Sequence, residues 1–355
     1  MPENYQSQQY ILYTEKLRAL LKELPPYCAD FFRGIENGTL VRTRYAYAVD
    51  LRTFFRYLCA EHIVEAGSLQ AVTLAQLDGL SPADFEAYSS YLSAYTEADG
   101  AAVTNGASAK SRKLASVRAF YRYFARRGLL KNNPPALIAM PKLREKAIIR
   151  LEPDEVALLL DTVQSGAGLT DRQKKFHART EARDLAILTL FLGTGIRISE
   201  LVGLDMDDVN FISNEFSVVR KGGKEDILCF GGEVRAALLA YMLQREKQSA
   251  ANERDENALF LSLHRQRIAV RTVEVLVKKY AHLAAPLKKI SPHKLRSTYG
   301  TTLYRETGDI YLVADVLGHK DVNTTKKHYA ALSQDRRRTA AHVVKLREDG
   351  PEAGS

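Results

Sequence analysis

"SPHKLRSTYGTTLYRETG" (291–308) opens as a helix start: Ser291 can cap it, and Pro292 suits a first turn that needs no backbone N–H donor. His293 and Arg296 are three residues apart, so an imidazole and a guanidinium share one side of that turn, beside N–H groups that favour an anion. Taken singly, a helical arginine or histidine is more often solvated or structural than catalytic, so the company these two keep decides the reading. In "GTGIRISEL" (193–201), Arg197 follows a glycine-rich stretch where backbone can approach a ligand, and Glu200 lies three residues on. In "RKGGKE" (220–225), Lys221 and Lys224 sit at the tip of a predicted hairpin whose β-rich runs flank Gly222-Gly223. In "LGHKDVNTTKKHYA" (317–330), His319 is followed ten positions later by Tyr329. Two arginines, a lysine, two histidines and a tyrosine, with no carboxylate cluster for a metal, suit attack on a phosphodiester by a protein hydroxyl, with no metal or other cofactor.

Around these motifs the chain reads as mainly α with a small β-sheet or hairpin. Residues 8–24, 44–62 and 106–128 have helical periodicity, the last ending at Gly128, and Ser81-Pro82 opens another helix. No strand is expected before about residue 133. The stretch 134–150 is proline-punctuated and basic, a linker. Beyond it, "LEPDEVALLLDTV" (151–163) starts a second domain, and 166–180 is polar and poorly periodic, expected to be a solvated loop. A buried helix broken at Gly193 and Gly195 should precede a helix carrying Arg197 and Glu200. The hairpin spans 215–230, and helices are expected over 232–249 and 271–284. The resulting division is 1–133, a linker 134–150, a domain 151–340, and a disordered tail 341–355.

The chain has 355 residues, with 51 Lys and Arg against 42 Asp and Glu, a balance that suits a polyanionic partner such as nucleic acid, the alternative being a basic surface kept for solubility. Three separated cysteines form neither a zinc site nor a disulfide framework and fit a reducing compartment. No signal pattern or apolar run of spanning length is present, so the expectation is a cytoplasmic, nucleoid-associated protein.

The second domain resembles the catalytic domain of the tyrosine recombinase (phage integrase) family over roughly 150–335, through all four motifs in order. The first resembles that family's helical core DNA-binding (SAM-like) domain, in "VRTRYAYAVDLRTFFRYL" (41–58) and "SRKLASVRAFYRYFARRGLLKNNP" (111–134). The resemblance implies a two-domain DNA clamp and a site-specific recombinase or integrase, a class that includes those of mobile elements, working through a 3′-phosphotyrosyl intermediate and a Holliday junction without metal or ATP. It implies that Tyr329 is the nucleophile, Arg197 and Arg296 hold the non-bridging oxygens, and Lys221 protonates the leaving 5′ oxygen. His293 would assist proton transfer at the nucleophile, His319 would bond the phosphate, and Glu200 would orient the site. Lys224 on the same hairpin is an alternative to Lys221. The interval from His319 to Tyr329 is one residue longer than in Xer-type resolvases and is similar to that in some conjugative-transposon integrases.

From Lys110 to Arg127 there are seven basic residues and no acidic one. Lys110, Arg112, Lys113, Arg118 and Arg122, with Arg44, Arg52 and Lys224, are expected to meet DNA phosphates, which position a protein without reading sequence. The resemblance further implies four protomers on two DNA sites, a dimer per site, with room for accessory proteins. The segment after Tyr329, "SQDRRRTAAHVVKLR" (333–347), either docks on a neighbouring protomer or packs on its own. No arm-binding domain is visible ahead of the first helices, which favours short inverted-repeat sites. Two other readings stand beside this one: a type IB topoisomerase, which would relax DNA lacking a specific site, and a non-catalytic DNA-binding regulator, which would bind without forming a covalent link.

Overall fold

The computed structural model describes residues 5–97, 99–143, 149–220, 223–318 and 322, and divides into two compact units, Met1–Lys146 and Ala147–Ser355. Among the described residues no helix is long and apolar enough to cross a membrane.

The first unit contains α1 (Tyr5–Leu21), α2 (Cys28–Gly34), α3 (Val41–Ala60), α4 (Leu74–Asp78), α5 (Pro82–Tyr91) and α6 (Ala107–Arg126). Its core is aromatic: Phe31, Phe54, Phe55, Phe85, Tyr88, Phe120, Tyr121 and Phe124 are all essentially inaccessible. Phe31 meets Phe120 edge-on at 5.4 Å and Phe85 meets Tyr121 at 5.2 Å, the geometry ring quadrupoles favour. The expectation of a strand-free first domain is corrected. Between α5 and α6, β1 (Ala94–Thr96) pairs antiparallel with β2 (Ala102–Thr104), with Tyr95 opposite Val103. Each strand has three residues with only the middle one partly covered, so there is no apolar alternation long enough to read.

The second unit is built on α8 (Asp171–Thr194), which follows α7 (Pro153–Ser165) and packs against α7 and two later helices. The solvated loop expected over 166–180 is also corrected, because α8 starts at Asp171. Thr170 and Gln173 cap each other: the Thr170 N–H donates to Gln173 Oε1 at 2.9 Å, and the Gln173 N–H to Thr170 Oγ1 at 3.3 Å. The inward stripe of its first half is polar, with His177, Thr180, Arg183 and Asp184 all buried, and a search for apolar periodicity passes over it. Asp184 takes hydrogen bonds from Thr180, Arg183 and the Tyr280 hydroxyl, so the stripe is satisfied.

The helix also continues through Gly193, where a break was expected. A Cβ there would lie 2.4 Å from Val234 Cγ2, so the glycine admits a neighbouring helix. After α9 (Ile198–Leu201), β3 (Val209–Asn210), β4 (Glu215–Val219) and β5 (Glu225–Cys229) form an antiparallel sheet in that order. Next come α10 (Gly232–Arg245), which carries Val234 against α8, α11 (Val270–Ala284), α12 (Pro292–Thr307) and α13 (Ile310–Val316). The whole is mainly helical with small antiparallel sheets, the class the sequence predicts.

Candidate active site

A helix leaves its last C=O groups without intrahelical partners and carries partial negative charge at that end. At the end of α13 three arginines supply the missing donors. Arg220 Nη2 donates to the Val316 carbonyl at 3.0 Å. Arg197 Nη2 donates to the carbonyls of Leu317 at 3.0 Å and Gly318 at 2.9 Å. Arg296 Nη2 also donates to Leu317 O, and its Nη1 donates to Gly195 O. Three segments distant in sequence are thereby drawn onto three consecutive carbonyls, the last one residue before His319.

Local spacing prepares each arginine. Arg197 caps the start of α9, and Glu200 reaches back to it: Glu200 Oε2 accepts from the Arg197 backbone N–H at 2.9 Å, and Oε1 accepts from Arg197 Nη1 at 2.7 Å. Glu200 Oε2 also lies 3.5 Å from Arg220 Nη1, so one buried carboxylate serves two guanidinium groups. Gly195 ends α8 at φ +63°, and a Cβ there would stand 2.5 Å from Tyr299 Cδ1 and 2.9 Å from Leu317 Cδ2. Both the backbone conformation and the close approach call for glycine. Arg296 is 5% exposed, whereas the Arg197 side chain is 31% exposed, so one donor is deep and the other opens to solvent. His293, at the second position of α12, is exposed one turn before Arg296. Tyr299 lies one turn after Arg296. Burial pushes its phenol up, with the neighbouring Cys229 adding to this and Arg296 opposing it.

Lys221, His319 and Tyr329 lie outside the described residues, as do 144–148 of the linker, the 333–347 segment and the 341–355 tail. The hairpin that carries Lys221 is as the sequence predicts. Val219 pairs with Glu225, the Arg220 N–H donates to Lys224 O at 2.7 Å, Gly223 has φ +82°, and Lys224 itself is exposed.

The basic residues expected to meet DNA divide by burial. Arg112 and Arg122 are exposed. Arg52 is paired with Glu23 at 3.1 Å, and Lys110 Nζ donates to Ser93 Oγ at 3.0 Å. Arg44 and Lys113 are each 6% exposed; Arg44 pairs with the exposed Glu36 and Lys113 with the buried Asp50. Burial pushes the Asp50 carboxyl up, with Arg112 and Lys113 pulling the other way. Arg118 donates to the carbonyls of Pro135, at 2.7 Å, and Ile138, fastening the chain that leaves α6. The sequence reading missed Arg220, although a signal for it exists. Along β4, Phe216 and Val218 face inward, and the two-residue period carries Arg220 to the same face.

Residues 150–336 match the phage integrase family. The chain is 33% identical over 311 residues to tyrosine recombinase XerC of Caldanaerobacter subterraneus subsp. tengcongensis, covering 85% of this chain and 82% of that one. It is 28% identical over 357 residues to tyrosine recombinase XerS of Streptococcus pyogenes serotype M12, covering 93% and 98%. Among solved structures, the Tn1549 transposon integrase in complex with circular intermediate DNA matches with a TM-score of 0.63 over 88% of this chain and 98% of that one. At 18% identity this is a likeness of fold. The interval between His319 and Tyr329 points away from the Xer type, whereas both relatives compared by sequence are named as Xer recombinases. A family match over more than half the length, joined to a relative one-third identical across most of both chains, makes this protein a member of the phage integrase family of tyrosine recombinases, enzymes that cut and rejoin DNA.

Proposed function

We propose that the chain exchanges strands between specific duplex sites, with Tyr329 as nucleophile and Arg197 and Arg296 as the donors that hold the scissile phosphate. The observation that carries this reading is the meeting of Arg197 and Arg296, 99 positions apart in sequence, on the single carbonyl of Leu317, two residues before His319. Guanidinium groups side by side match the two non-bridging oxygens of a phosphate, whose charge grows in the transition state. The Tyr329 oxygen forms a bond to phosphorus as the bond to the 5′ oxygen breaks. His293 assists loss of the phenolic proton, Lys221 protonates the leaving oxygen, and His319 bonds the phosphate. The 3′-phosphotyrosyl link conserves the energy of the phosphodiester, so the reverse attack by a 5′ hydroxyl reseals the strand without ATP.

In the first unit the exposed Arg112 and Arg122, with Arg52 and Lys110 at its surface and Lys224 on the catalytic hairpin, are the proposed phosphate contacts. Arg44, Lys113 and Arg118 serve the fold, and we do not assign them to DNA. Affinity should fall steeply with salt, as counterion release requires. Duplex DNA with short inverted repeats, a tetramer on two sites exchanging strands through a Holliday junction, and a place in the cytoplasm complete the proposal.

Trapping on randomised nicked duplexes, without metal or ATP, tests it. The full chain should form a covalent adduct whose DNA, once sequenced, gives the site, and Tyr329→Phe should form none while binding DNA with unchanged affinity. An equal adduct from Tyr329→Phe would overturn the nucleophile. Relaxation of supercoiled DNA of any sequence would instead favour the topoisomerase reading.

A further inference from the structure

Arg220, directly after β4, is 7% exposed, and two of its three guanidinium nitrogens donate hydrogen bonds. Nε donates to Asp226 Oδ2 at 2.8 Å, Nη2 to the Val316 carbonyl at 3.0 Å, and Nη1 lies 3.5 Å from Glu200 Oε2. Burial pushes the Asp226 carboxyl up, but the hydrogen bond and charge of Arg220 outweigh this and leave it below the ordinary carboxylate range. One face of the guanidinium lies against Gly318. A Cβ at that position would come within 2.9 Å of Arg220 Cζ, and the backbone there has φ +57°. A planar fork with five donors can meet acceptors on three segments at once, whereas a lysine ammonium is a single point.

The three segments are those that carry the chemistry. Glu200 holds Arg197, Val316 and Gly318 lead into His319, and Arg220 is the residue directly before Lys221. We propose that Arg220 is a positioning residue that sets Lys221 against the Arg197–Arg296 pair, so that the proton donor and the oxyanion donors act on the same phosphate. This rests on the reading of Lys221 as the general acid. Arg220 touches no reacting atom. It ties the base of the hairpin to the same helix end that receives the other two arginines, and misplacement by about 1 Å can cost roughly a hundredfold in rate.

The leaving group separates this role from simple fastening. With oxygen at the scissile 5′ position, the departing alkoxide takes a proton from Lys221. With sulfur there, the group departs as a thiolate, which needs no proton donor because a thiol is acidic near neutrality. Duplexes recovered by trapping would be prepared with oxygen or sulfur at that position, and single-turnover cleavage measured for the full chain and for Arg220→Lys, Asp226→Asn, Lys221→Ala and Arg197→Ala. The sulfur-to-oxygen rate ratio within one sample does not depend on how much of the protein is folded, so a destabilised variant still reports on the proton-transfer step.

Arg220→Lys and Lys221→Ala should each raise the ratio about tenfold or more, within the range that a lost general acid produces. Asp226→Asn, whose position is partly exposed, should raise it less. Arg197→Ala should slow both substrates alike. A wild-type ratio in Arg220→Lys and Asp226→Asn alongside a raised one in Lys221→Ala would overturn the role of Arg220 alone. A wild-type ratio in Lys221→Ala would overturn the general-acid reading beneath it.

Discussion

Replacing Glu200 by glutamine removes one charge and almost no volume, and the geometry allows its effect to be estimated. Glu200 accepts from the Arg197 backbone N–H at 2.9 Å and Arg197 Nη1 at 2.7 Å, and faces Arg220 Nη1 at 3.5 Å. A glutamine keeps one acceptor and turns an NH2 group toward one of these donors, so at least one charge-assisted bond is lost. Such bonds contribute about 1.5–3 kcal/mol, and the partial exposure of Arg197 reduces this to about 1–2 kcal/mol. For a unit of roughly two hundred residues, Tm should fall by about 2–8 °C. Cleavage should suffer more than folding, because Arg197 keeps its hold on the 317 and 318 carbonyls but loses the carboxylate that aims it. A rate loss of roughly tenfold to a hundredfold is expected, below the hundred- to thousandfold typical of deleting an oxyanion donor outright. Differential scanning calorimetry and single-turnover cleavage of a nicked duplex would be run on the same preparation. A Tm within a degree of wild type together with cleavage within about twofold would refute the claim that Glu200 organises the arginines.

Arg296→Ala should cut cleavage by roughly two to three orders of magnitude. It should also lower Tm, because the Gly195 and Leu317 carbonyls lose a donor at a site that is 5% exposed, and a stable, fully active variant would remove Arg296 from both roles. Acid should weaken the second unit partly through Glu152. The hydrogen bond from Arg305 holds its carboxyl below the usual range; burial opposes this, and the charges of Arg150 and Arg305 assist. A carboxyl depressed in the folded state stabilises fully above its unfolded value of about 4.3 and loses that contribution as pH falls through the lower folded value. Melting curves from pH 6 downward should therefore show a smaller acid loss for Glu152→Gln than for wild type, and parallel curves would rule this contribution out.

The parts legible in the sequence are those governed by neighbours in the chain. Pro292 at the first position of α12, Gly223 with φ +82° between β4 and β5, and Glu200 three residues after Arg197 each specify a local geometry through short-range sterics or hydrogen bonds. Where the local signal is weak, the reading fails for a physical reason. The first half of α8 buries a polar stripe around Asp184, so apolar periodicity does not reveal it, and β1 and β2 are too short to show any alternation. Gly193 reads as a helix breaker until Val234 is known to occupy the space where its side chain would be.

The arginines draw the boundary most sharply. Sequence composition supplies a basic chain, and motif order singles out Arg197 and Arg296. Nothing local separates an arginine that fastens a loop, such as Arg245 on the Ala258 carbonyl or Arg118 on Pro135, from one available to a phosphate. A guanidinium acquires its role from acceptors that lie tens of residues away, and for Arg220 those are Val316, 96 positions on, and Glu200, 20 positions back. Sequence by itself therefore determined the chemical groups and their local presentation. The tertiary structure decided which of those groups meet, because burial and the pairing of charges are set by packing between distant segments.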